Sequence, residues 1–406
     1  MDRRSLPWAA LATMSLTTLV VVSGEMMPTA VLPALAADLD VSLGSAGFLV
    51  SAWAMTVVVA TFPLARLTAR LDRPTLIAAA LVVFAVATFG TAAAGSYAVA
   101  LGTRLVAAGA TGVLWSTVNT HAASIVPEHR IARATAVVLA GGMLGTVLAI
   151  PAANALADVA GWRAPFVATG VIGLGAAAAV LVVLRGVPVV AGTVPAAERR
   201  SRSLRPLLAT AGLGGLLLVA HFMAFTFVAE LLAPSPVPTP ALLLVFGLVG
   251  AAGVTLVGAA SDRYPFGVPV AVGLVLAVSL AGVTLLGRAG WADVALVLAW
   301  GLGAGAVGPA VQAGLMRMAG PEGRATAGTL MPVAMNLGIA VGAAAGSGAV
   351  DRWSVGALPV LAVVPALLAA VGFGAVARRA ATRGTVVGVP DAGPAVSSPA
   401  PASPAP

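Results

Sequence analysis

The chain has 406 residues, 60% of them hydrophobic and only 9% charged, a balance that excludes an ordinary soluble domain and leaves room for many membrane spans of about 20 residues each. It has no cysteine, which removes disulfides, thiolate nucleophiles and cysteine metal sites. All 22 basic residues are arginine, so a Walker A loop and a Schiff-base lysine are excluded as well, and the net charge of +8 needs another explanation.

Apolar runs between charged or Pro/Gly punctuation predict twelve spans, near 8–28, 44–65, 75–95, 97–120, 132–156, 164–184, 207–231, 240–260, 266–287, 291–316, 325–349 and 355–377. The first has no small-residue cleavage site after it and is expected to remain as a helix. Placing the arginines on this scheme puts eighteen on one side and three, Arg163, Arg288 and Arg352, on the other, with Arg104 inside a span. Basic loops stay cytoplasmic, so both termini and the central loop are expected inside. The positive charge is then a topology signal, and no nucleic-acid partner is expected.

The chain also repeats itself. PEHRIARATA at 127–136 returns as PEGRATA at 321–327, three residues shorter. At a constant offset of 193, Arg70 maps to Arg263, Leu144-Gly145 to Leu337-Gly338 and Asp158 to Asp351. Two like-oriented six-span halves are expected, 1–184 and 207–378 (to the end of the last span), joined by a cytoplasmic linker at 185–206 that carries five arginines. The tail, 379–406, is Pro/Ala/Ser-rich and is expected to be disordered and cytoplasmic. The fold class is all-α, integral to the membrane.

Few polar groups lie at membrane depth. Counting from Trp8, Glu25 lies about 25 Å up a core roughly 30 Å thick, and Arg104, entering from the opposite side, lies near 19 Å on the same scale. The two are within an arginine's reach along the membrane normal. A carboxyl there resists ionisation unless a cation pairs with it, which suits it to carry a proton; the alternative places Glu25 in the hydrated headgroup zone. His221, about 21 Å into the seventh span, is the third proton-coupling candidate, its alternative being a satisfied packing residue. Trp53, Trp115, Phe222 and Phe225 are candidates for an apolar substrate wall or for plain packing, with Phe227 nearby. Asn336, about 16 Å into the eleventh span, should face the bundle, as a helix–helix hydrogen bond or a substrate contact. Gly141, Gly142 and Gly145, and the series Gly338, Gly342 and Gly346, have the small-residue spacing that lets helices approach closely; a seal between the halves, ordinary close packing, or both are expected of them.

Several segments resemble signatures of the major facilitator superfamily. GAASDR, from Gly258 to Arg263, resembles its G-x-x-x-D-R loop, and LTARLDRP, from Leu67 to Pro74, is a decayed copy with Ala69 in place of the aspartate. Arg104 followed by Gly109 and Gly112 looks like the fourth-span signature. GGMLG at Gly141–Gly145, reaching Pro151, is similar to the antiporter glycine/proline signature, although Ala149 departs from it. GEMMPTAVLPALAADLD, from Gly24 to Asp40, resembles the first span and loop of proton-driven efflux proteins of the arabinose-efflux and chloramphenicol-resistance types, and GWR at Gly161–Arg163 and NLG at Asn336–Gly338 add matches.

The resemblance covers roughly 8–378. It implies a twelve-helix drug:proton antiporter of the bacterial inner membrane, with no enzymatic activity, cofactor or metal. Its partners would be a small-molecule substrate, protons and the lipid bilayer, and it would act as a monomer by alternating access. Arg70, Asp72, Arg73, Asp262 and Arg263 would form a cytoplasmic latch broken in each cycle. A sugar or metabolite exporter of the same fold is the first alternative, with an intramembrane enzyme or a channel behind it.

Overall fold

The computed structural model describes residues 6–127, 130–187, 204–264 and 267–382. The first six helices are α1 (Trp8–Asp38), α2 (Leu43–Leu67), α3 (Arg73–Ala92), α4 (Tyr97–Ser124), α5 (Ile131–Ala160) and α6 (Arg163–Val183). They are followed by α7 (Arg205–Phe225), the short α8 (Val228–Leu232), α9 (Thr239–Arg263), α10 (Gly267–Val283), α11 (Gly290–Arg352) and α12 (Leu358–Thr382). Among the described residues, eleven spans are long and apolar enough to cross a bilayer, and Gly267–Val283 is a shorter apolar helix. The linker at 188–203 and the tail beyond Thr382 lie outside the described residues; α12 itself continues four residues past the boundary expected at 378.

Local chemistry starts several helices where the sequence predicts. Ser42 caps α2 by accepting from Ser45 N at 3.0 Å, and Asp72 caps α3 by accepting from Thr75 N at 3.2 Å, with Pro74 in the first turn. Within the spans, hydroxyls bond the carbonyl one turn back, as Thr17 does to Thr13, Thr88 to Phe84 and Thr111 to Ala107, so they need no water.

Other boundaries differ from expectation too. Helix α1 does not stop at Pro28 but runs ten residues further, through Pro28 and Pro33, to Asp38. The seventh span is broken: α7 ends at Phe225, where Thr226 bonds back to Phe222 at 2.6 Å, and α8 follows.

Helix α11 holds spans ten and eleven in one helical element of 63 residues, which would be about 95 Å long if straight. Yet Val311 and Ala334 lie against Gly214 and Gly215, adjacent residues of α7. The element therefore doubles back, into a first limb (Gly290–Ala319) and a second limb (Thr326–Arg352). The first limb runs antiparallel to α7, with Met318 at Thr210 and Trp300 at His221. The second runs parallel, with Gly342 at Val219 and Gly346 at Met223.

Helices α1–α6 form one half and α7–α12 the other. In each, one helix with a glycine stripe packs on the helix that opens the half. A Cβ on Gly141 would run into the Ser15 carbonyl of α1, and one on Gly145 would stand 2.8 Å from Leu19 O. In the second half a Cβ on Gly338 would run into the Gly215 carbonyl of α7, and one on Gly342 would stand 2.6 Å from Val219 O. Each stripe thus brings two backbones together within one half. The seal between halves expected of these glycines is not there.

The halves meet elsewhere, and mainly at one end. Along α2 and the second limb of α11, the Asp351 carboxylate accepts from Gly44 N and Ser42 Oγ, both at 3.1 Å, while Ser51 Oγ donates to Ala340 O at 2.7 Å. Gly44 fits under Ser347 and Asp351, and Gly47 fits under the Phe227 ring. On the other side Pro151 removes the amide that would bond the Val147 carbonyl, and α9 approaches that turn through Gly247, whose Cβ would stand 3.0 Å from Val147 O.

Burial shows the same polarity. The apolar core of the second half is continuous with Met26–Leu39 and Ala46–Val50 of the first, near Asp351. Residues near the linker end of the first half, such as Leu11, Leu76, Val126 and Leu184, belong to a separate cluster. All the buried residues of α2 lie between Gly44 and Ala54, and the rest of the helix is exposed at Met55, Val59, Phe62 and Leu67. The halves close on each other at the Asp351 face and part toward the linker face.

Candidate functional site

Four helices bring the first-half site together. Arg104, seven residues into α4, is 1% exposed and reaches α1, where Nη1 donates to Gly24 O at 2.6 Å and Nη2 to Glu25 O at 3.1 Å. Its guanidinium lies 3.9 Å from the centre of the Trp53 ring of α2, and Phe84 of α3 meets Trp53 edge-on, with ring centres 6.4 Å apart. Glu25 is half-buried in the same turn of α1. The sequence placed these two charges at similar depth without fixing their lateral distance; they are neighbours. Arg104 does not form an ion pair with the Glu25 carboxylate, however, and takes the backbone carbonyls instead. Trp53 is sealed against Arg104 and Phe84 and lines no open space.

The matching contact in the second half has other chemistry. Trp300 Nε1, on the first limb of α11, donates to His221 Nδ1 on α7 at 3.2 Å. Around His221 stand Phe222 and Phe225 of α7 and Phe246 of α9, with ring centres 5.0, 4.7 and 6.1 Å away. All five side chains are buried. Sequence pattern had linked His221 to Phe222, Phe225 and Phe227. The actual cluster swaps Phe227, which packs under Gly47 at the seam, for Phe246 and Trp300 on separate helices. His221 accepts through Nδ1 in a packed aromatic cluster, which is the arrangement of a satisfied core histidine rather than of a group open to protons.

His221 stands 196 residues after Glu25, and Trp300 stands 196 after Arg104. The constant offset of 193 pairs Glu25 with Leu218 and Arg104 with Val297, and is off by three residues here. It holds after the shortened repeat phrase, at Gly145 and Gly338, where both glycines take the same packing role.

The remaining candidates are scattered. Trp115 is half-buried, 3.6 Å from where a Cβ of Gly142 would stand. Asn336 is half-buried, and its amide donates to Pro332 O of its own helix at 3.0 Å, so the expected bond to a neighbouring helix is absent. Among the latch residues, Asp72 is taken up by capping α3 and bonding Thr75, while Arg70 and Arg73 are exposed at the open end without an ion pair. Arg263 stacks on its neighbour Tyr264 at 5.5 Å. The Asp262 side chain lies outside what the structure describes.

The loops at the Asp351 face have clamps that sequence reasoning missed. Arg163 bonds Asp38 at 2.7 Å and Ala94 O at 3.0 Å, tying three loops of the first half. In the second half the fully buried Asp293 accepts from Ser235 Oγ at 2.6 Å and from Gly287 N at 3.1 Å. The isolated Asp293 in an apolar run was the available signal, since a charge at such depth persists only when paired or hydrogen-bonded.

Comparison with known proteins agrees with this architecture. The chain is 30% identical over 362 residues to a chloramphenicol efflux pump of Mycobacterium tuberculosis, covering 84% of this chain and 86% of that protein. It is 33% identical over 338 residues to a chloramphenicol resistance protein of Streptomyces lividans (79% and 83% covered) and 30% identical over 357 residues to the inner membrane transport protein YdhP of Escherichia coli (85% and 90%). Among solved structures it is similar to a bacterial homologue of the human lysosomal transporter Spinster, inward-facing and unoccupied, with a TM-score of 0.75 at 18% identity over 93% of this chain and 98% of that one. It is also similar to the nucleoside transporter NupG, with a TM-score of 0.74 at 13% identity over 91% and 99%. Residues 14–343 match the family model of the Major Facilitator Superfamily, and the chain belongs to that family of membrane transporters.

Proposed function

We propose that the chain exports a small, largely apolar molecule of the chloramphenicol kind from the cytoplasm across the bacterial inner membrane, driven by inward proton flow. The observation that carries the transport cycle is the one-ended seam. Hydrogen bonds and glycine contacts join the halves at Ser42–Ser51 and Ala340–Asp351, whereas α2 loses its burial toward the linker face. Such a conformation is one state of alternating access, and rocking the halves about the midplane would open the Asp351 face and close the other. The arginine excess on the linker side supports a cytoplasmic linker and cytoplasmic termini. The likeness to chloramphenicol exporters supports the substrate class.

For the proton path the proposal assigns Glu25. It is a half-buried carboxyl in the turn that Arg104 holds, one of few ionisable groups at membrane depth. His221 is left to packing. The test is chloramphenicol accumulation in an efflux-deficient host expressing the chain, with and without an uncoupler. Accumulation should fall on expression and recover with the uncoupler; extrusion that continues unchanged in the uncoupler would rule out proton drive.

A further inference from the structure

The arginine of the first half sits where a helix lacks a hydrogen bond. In a continuous α-helix the carbonyl of Gly24 accepts the amide of the residue four positions on, but that residue is Pro28, which has no amide hydrogen. A bare carbonyl inside a bilayer is costly, and transmembrane prolines persist where a neighbouring group satisfies the freed oxygen. Arg104 donates to that oxygen at 2.6 Å, its shorter bond, and to the next carbonyl, Glu25 O, at 3.1 Å.

The second half is a built-in control. Displaced by the same 196 residues as the pair Glu25/His221, the position of Pro28 becomes Ala224, inside the continuous helix α7, which has an amide to give. No bare carbonyl is left there. The position of Arg104 is Trp300, which donates to a side chain instead. Where the proline is present the arginine is present, and where the proline is gone so is the arginine.

We propose that Arg104 is a positioning residue: it replaces the hydrogen bond deleted by Pro28 and so fixes the turn of α1 that presents Glu25. Its rigid planar fork holds two successive carbonyls in fixed geometry, whereas a lysine ammonium is a compact point donor on a flexible stem. The functional part rests on the proton-coupling role proposed for Glu25; the bond itself does not.

The experiment is a double-variant cycle on the full chain with Pro28→Ala, Arg104→Met and both together, plus Arg104→Lys alone. Thermal stability in detergent and the rate and pH profile of chloramphenicol transport are measured for each. Arg104→Met should lower the melting temperature by several degrees and transport by about tenfold, the effect of orphaning one buried carbonyl, and should alter the pH profile. Adding Pro28→Ala restores a backbone amide to Gly24 O, so the double variant should recover the stability, rate and pH profile of Pro28→Ala alone. Arg104→Lys should fall between wild type and Arg104→Met. Additive losses in the double variant, a double variant that is stable but inactive, or an Arg104→Lys protein equal to wild type would each overturn the proposal. The lysine arm gives its answer even if Pro28→Ala fails to accumulate. If wild type itself moves no drug, the transport proposal fails, while the stability cycle still decides whether the bond exists.

Discussion

The two halves use the same contact, between the helix that opens the half and the fourth span, for opposite purposes. In the first half that contact is polar: Arg104 on the Gly24 and Glu25 carbonyls, with a half-buried carboxyl beside it. In the second it is an aromatic cluster around His221 and Trp300 with no open face. The glycine stripes, by contrast, have kept one role in both halves, Gly145 on α1 and Gly338 on α7. Duplication preserved the packing that lets backbones approach and left the polar chemistry to one copy. On the proposed function, the packing that lets the halves move is symmetric while the proposed proton site is one-sided.

Four substitutions press on that comparison. The largest effect is expected from Glu25→Gln, which should lower proton-driven transport by about a hundredfold, on the scale of a lost proton-transfer group, while the protein accumulates normally in the membrane; drug efflux in cells measures it. Next, Gly141→Leu should destabilise the first half by about 3 kcal/mol, because its side chain has to displace the Ser15 carbonyl. Gly212→Ala, where a Cβ meets nothing within 4 Å, should change little, and melting in detergent compares them.

Third, His221→Phe should leave transport within about threefold and cost about 1–2 kcal/mol, since the Trp300 indole N–H loses its acceptor in a dry site. A large transport defect at normal stability would move proton coupling into the second half. The smallest effect separates two repeated aspartates. Asp351→Ala should weaken the closed seam by about 1 kcal/mol, the usual worth of a helix cap. Its counterpart Asp158, exposed and outside any ion pair or hydrogen bond, should be silent as Asp158→Ala. Cross-linking yield between cysteines introduced at Phe48 and Ala344 reports the seam, because both residues flank the groove beside it.

Much of the architecture was legible because bilayer chemistry is strict. Spans must be apolar, arginines collect on one side, and the duplicated phrase fixes like orientation of the halves. The lone arginine in a span also led to the right turn of α1. What escaped depended on contacts distant in sequence. The predicted span ends at Pro28, and nothing local shows that the Gly24 carbonyl freed by this proline has a donor 80 residues away on α4. Phe246 and Trp300 carried no local mark tying them to His221, and Trp53 stood open between a substrate wall and plain packing until Arg104 and Phe84 were seen beside it. The three-residue register change between the halves is not marked by one place in the sequence, since Arg70 and Arg263 keep the offset of 193 ahead of the repeat phrase; only the paired contacts show which spans it affects.

The account turns on proton coupling residing in the first half alone. The direct measurement is chloramphenicol transport into proteoliposomes across a range of imposed pH gradients, for wild type, Glu25→Gln and His221→Gln. The expected result is that Glu25→Gln loses its response to the gradient while His221→Gln responds as wild type does. A Glu25→Gln protein that still follows the gradient, or a His221→Gln protein that no longer does, would contradict it.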